Sequence, residues 1–114
     1  MDKPDLSMAQ EMQNNLIDSG EKWADENAAA SLLEETKKMI LAQQVNEAIA
    51  GGSASVAAAE KAAYASEKYY AHIRAMVEAR REANRARVRY DSLRVYAELR
   101  RTTEATRRAE MQLT

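Results

Sequence analysis

The sequence has 114 residues, dominated by Ala, Glu, Arg, Lys and Leu, with three Gly, one Pro and no Phe, a composition of long helices or coiled coils rather than sheets. Its formal net charge of -1 conceals a segregation of sign: residues 1–50 hold ten acids against four Lys, whereas 73–114 hold eleven Arg against six acids. The absence of Cys excludes a disulfide framework and a thiolate metal site and suits a reducing, cytoplasmic setting.

In chain order, Pro4 is expected to keep the first residues extended. Asp5 or Ser7 then caps a short helix over 5–19, with Ser7 and Gln10 spaced as a capping box. No positively charged start with an apolar run follows Met1, so no secretory leader is expected. Asp18-Ser19-Gly20 reads as a stop and restart, because Gly suits a left-handed helix end and Asp or Ser caps the next helix; a kink is the alternative. From 21 to 50 nothing breaks an acidic helix, whose thin apolar stripe runs through Trp23, Ala30, Leu33, Ile40, Leu41, Val45 and Ile49. Gly51-Gly52-Ser53 pairs two permissive residues with a cap and predicts the turn of an αα-hairpin.

After that turn neither Gly nor Pro occurs, so one helix over 54–112 is permitted. Its seam runs Ala62, Ser66, Tyr69, Ile73, Met76, Ala79, Ala83, Ala86, Tyr90, Leu93, Ala97, in steps of three or four residues, a coiled-coil period with small residues in its middle. A second stripe, Val88, Val95, Leu99, Thr106, Ala109 and Leu113, lies on another face, so the far part of this helix needs partners on two sides. The acidic arm covers only part of it, which leaves the portion beyond Arg85 for the N-terminal segment or a second copy. The expected fold is therefore all-α: a single domain over 1–114, an antiparallel hairpin with one long C-terminal helix, coiled-coil-like and oligomeric. Its oligomer interface is expected at Tyr69, Ile73, Met76, Ala83, Ala86, Tyr90, Leu93, Val95 and Leu99.

Chemistry-bearing patterns are sparse. His72, with no Cys and no second His, cannot assemble an ordinary zinc site. No Gly-rich phosphate loop, nucleophile motif or HExxH is present. No enzyme, metal or cofactor is expected, and no stretch approaches the ~20 apolar residues of a membrane span. Tyr64, Tyr69, Tyr70, Tyr90 and Tyr96 lie mostly at or beside the seams, where packing explains them better than base stacking. The arginines carry more information: Arg80, Arg81, Arg85, Arg87, Arg89 and Arg94 are candidates to bind phosphate or an acidic partner, Arg being suited to bidentate pairing. They are distributed around the helix, however, and acids such as Glu78 and Glu104 stand three or four residues from Arg81 and Arg108, so a solvated face also accounts for many of them.

The run His72-Ile73-Arg74-Ala75-Met76-Val77-Glu78-Ala79-Arg80-Arg81-Glu82-Ala83-Asn84-Arg85-Ala86-Arg87-Val88-Arg89, followed by Tyr90, resembles small uncharacterised helical proteins of bacterial phages and prophages. The resemblance implies an accessory protein that acts by binding, in recombination, packaging or inhibition of a host system. Three functions fit these features: a non-enzymatic helical interaction and oligomerisation protein, a nucleic-acid-binding accessory protein using the arginines on phosphates, and a phage-type inhibitor of a host protein.

Overall fold

The computed structural model describes residues 6–113, so the extended start expected at Pro4 and a cap at Asp5 lie outside the described residues. Three helices follow one another: α1 over Leu6–Ala50, α2 over Val56–Tyr64 and α3 over Glu67–Leu113. Among the described residues there is no strand. The fold is all-α, a helical hairpin with a long last helix. The chain divides into two compact units, one of residues up to Ala24 with those from Asn84 onward, the other of Asp25–Ala83.

In the Asp25–Ala83 unit, α1 ends in a Schellman arrangement. The Ser53 amide donates to the Ala48 carbonyl at 3.1 Å and the Gly52 amide to the Ile49 carbonyl at 3.1 Å, with Gly52 at φ 94. This left-handed residue is where glycine costs least. The turn falls where the sequence places it, but Ser53 does not cap the next helix. Ser55 does, accepting from the Ala58 amide at 3.0 Å.

The single helix expected over 54–112 is broken at Ala65 and Ser66, between α2 and α3. No Gly or Pro is needed. The Ser66 hydroxyl donates to the Ala63 carbonyl at 2.7 Å and accepts from the Tyr69 amide at 3.2 Å, closing one helix and opening the next with one side chain. Tyr64 and Tyr69 meet edge to face across the break, centroids 5.6 Å apart. In α2 the buried residues are Ala59 and Ala63, while Ala62, expected on the seam, is exposed.

Helices in this unit run antiparallel. Lys68 lies 3.4 Å from Glu47, His72 reaches the Leu33 carbonyl, and Arg80 reaches Asn27, so rising numbers on α3 meet falling numbers on α1. Ala30 and Ala83 are buried here. The α1 stripe is thin because its inward row is partly polar: Asn27, Ser31, Glu34 and Gln44 share it, Gln44 buried and the others half-buried.

The other unit is also an antiparallel pair. Arg100 points two nitrogens at the Met8 sulfur, 3.6 and 3.7 Å away, and Trp23 stacks on Tyr90 with centroids 5.7 Å apart and planes inclined by 24°. The restart expected at Asp18-Ser19-Gly20 does not occur; α1 passes through all three residues. Gly20 serves close approach instead, since a Cβ there would stand 3.2 Å from the Tyr90 ring. Across the described residues the buried apolar side chains are all alanines, namely Ala30, Ala59, Ala63, Ala83 and Ala86. Alanine lets two backbones approach closely but removes little apolar area from water, so each pairing is modestly stabilised.

Candidate functional site

The residues expected to form an oligomer seam fall into two groups. Tyr69, Ile73, Met76 and Ala83 in one unit, and Ala86, Tyr90 and Leu93 in the other, are buried or half-buried within the chain itself. Val95 and Leu99 are exposed, at 48% and 61% of their surface, and so is Val88 at 64%. Thus the first seam closes the chain on itself, while the second faces outward. The N-terminal segment takes the role for which either it or a second copy was a candidate: Trp23 and Gly20 cover Tyr90, and Met8 meets Arg100. Beyond Arg100, every residue from Arg101 to Leu113 is exposed.

The candidate arginines separate in the same way. Arg80 is engaged internally. Its Nε donates to Glu34 Oε1 at 3.0 Å, its Nη1 to Asn27 Oδ1 at 2.7 Å and its Nη2 to Ser31 Oγ at 3.3 Å, while Nη2 also forms a short ion pair with Glu34. Arg80 is thereby withdrawn from the set offered to a partner, because its fork of donors is used on α1. Arg81, Arg85, Arg87, Arg89 and Arg94 are exposed. Asp91 lies between Arg87 and Arg94, at 3.8 and 3.9 Å, and Glu104 pairs with Arg100 at 3.8 Å. Such long, solvated pairs leave the Arg87 and Arg94 guanidinium groups largely available.

His72 has a structural role on α3. Its Nε2 lies 2.7 Å from the Leu33 carbonyl, and since a carbonyl only accepts, that nitrogen carries the proton. The same carbonyl accepts from the Thr36 hydroxyl at 3.2 Å. Together with Arg80, His72 ties the polar part of the α1 stripe to α3, and neither interaction has a local signal in the sequence, because each joins residues about forty or more positions apart. No family model matches the chain, and no curated protein or solved structure resembles it closely enough to match.

Two shallow grooves accompany the helix pairs. One is lined by Met8, Ala9, Met12, Gln13 and Leu16 of α1 with Ala97, Arg100, Arg101 and Glu104 of α3. The other lies among Ile40, Gln43, Gln44, Glu47, Lys68, Ala71 and His72. Neither assembles a nucleophile with a base. Among the described residues no three His, Cys, Asp or Glu gather as metal ligands, and no helix is long and apolar enough to cross a membrane. One buried oxygen, Oε2 of Glu26, has no hydrogen-bond partner among the described residues, a cost borne by the inward row of α1. The feature with the greatest capacity for recognition is the outer face of α3, where exposed apolar residues recur at helical spacing.

Proposed function

We propose that this chain is a non-enzymatic helical interaction protein that self-associates through the outer face of the far part of α3. The observation that carries the reading is the exposure of Val88, Val95 and Leu99 on a helix whose opposite side is already packed. An apolar row of this kind on a structured helix is the usual material of a coiled-coil contact. An accessory role, of the kind the likeness of the His72–Tyr90 run to phage and prophage proteins would imply, is part of the proposal, and the lack of Cys suits the cytoplasm. Light scattering coupled to size exclusion, at low and high salt, tests the reading. A salt-resistant oligomer is expected, and a monomer throughout the accessible concentration range contradicts it.

A second reading rests on a different observation, the exposed arginines Arg87, Arg94, Arg101, Arg107 and Arg108 on the same part of α3. On this reading they contact the phosphates of a nucleic acid. Binding to a short DNA or RNA should then fall steeply as salt rises and be lost when Arg87, Arg94 and Arg101 are replaced by Gln. An acidic protein partner, including a host protein inhibited by a phage factor, would use the same arginines; capture of one stoichiometric protein without nucleic acid distinguishes it.

A further inference from the structure

The outward row of α3 is longer and more regular than its large residues alone suggest. From Val88 to Leu113 it advances in unbroken alternating steps of four and three residues, through Ser92, Val95, Leu99 and Thr102 and onward. Every member is exposed, Leu113 to 88%. Such a run is a heptad seam, about half a turn round the helix from the row that packs on α1. The small members suit it. The Thr102 hydroxyl donates to the Glu98 carbonyl at 3.0 Å, so Thr102 can enter an apolar layer without bringing an unpaired donor.

We infer that the partner on this seam is a second copy of the chain, docked antiparallel about a twofold axis between Arg100 and Arg101. The inference rests on the self-association proposed above and fixes its direction and register. In this register Val88 faces Leu113 of the other copy, Val95 faces Thr106, and the two Leu99–Thr102 layers form the centre. Charge selects the orientation. At the seam's edge the antiparallel register sets Arg89 beside Glu110 of the other copy, and the twofold axis forms that pair twice. A parallel, in-register pair instead sets Asp91 toward Tyr96, Glu98 toward Thr103 and Ala105 toward Glu110, with no opposite charges meeting.

The test uses the full chain, whose lack of Cys makes an introduced one unique. Nitroxide labels are attached to Arg87→Cys or to Arg101→Cys, two exposed positions off the seam, and label-to-label distances are measured by pulsed dipolar spectroscopy. In the antiparallel dimer the Arg101 labels stand nearly level, whereas the Arg87 labels lie about 40 Å apart along the axis at ~1.5 Å per residue. A short Arg101 distance with a much longer Arg87 distance is expected. Equal distances at the two positions, or any other pattern within a dimer, overturn the register and leave self-association standing. A monomeric mass with no dipolar coupling at either position overturns both. As a second readout, Arg89→Glu weakens the dimer about fivefold and adding Glu110→Arg restores it; weakening without restoration removes the pair that selects the orientation.

Discussion

Arg80 and Arg81 are neighbours in the sequence with opposite fates. Arg80 spans to Glu34, Asn27 and Ser31, whereas Arg81 stands on the exposed side of α3. Arg80→Gln is therefore expected to lower stability by about 1–2 kcal/mol, since hydrogen bonds to a charged group are lost at a site only partly shielded from water. Arg81→Gln is expected to change it by less than about 0.5 kcal/mol. Urea unfolding of the two variants checks the contrast, and equal midpoints would remove Arg80 from its role. A harsher probe is Ala86→Glu. Ala86 is 2% exposed, so a carboxylate there must be desolvated or the helices must part, a loss of roughly 2–4 kcal/mol. Thermal melting followed by circular dichroism would show it. Nothing local distinguishes Arg80 from the arginines around it, because its partners lie forty-six or more positions away. Gly20 is similar: its neighbours Asp18 and Ser19 suggest a helix end, and only the approach of Tyr90 explains a glycine within a continuous helix.

At the scale of elements, a helix is legible in the sequence where one repeating pattern dominates and is not where a single side chain decides its end. The inward row of α3 from Tyr69 to Ala97 is legible because its apolar and small residues repeat at a coiled-coil period, and every member is buried or half-buried. The turn after α1 is legible because Gly51 and Gly52 are adjacent and Gly52 takes a positive φ. The break at Ser66 is not, since serine is common within helices and becomes a cap only when its hydroxyl bridges Ala63 and Tyr69. Ser66→Ala should cost about 1 kcal/mol, the typical value of a lost N-cap. Hydrogen exchange at the Tyr69 amide should accelerate in step, and unchanged protection there would show that the hydroxyl does not hold the junction. On α1, the polar residues Asn27, Ser31, Glu34 and Gln44 obscure the stripe in the sequence although they face inward.

For the molecule as a whole, the segregation of charge has a visible use: Glu34 and Glu47 of the acidic part meet Arg80 and Lys68 of the later part. The Glu47–Lys68 pair is well exposed and adds little stability. What these contacts leave over is the exposed outer face of α3. The most direct measurement is light scattering coupled to size exclusion, at low and high salt, on the natural chain and on Leu99→Asp. Leu99 is 61% exposed, so the substitution places a charge on the outer seam without entering the packing against α1. The natural chain is expected to be a salt-resistant oligomer, and Leu99→Asp to be a monomer with unchanged helix content. A natural chain that is monomeric at every concentration, or a Leu99→Asp variant that keeps the natural mass, would contradict the assignment of α3's outer face to self-association.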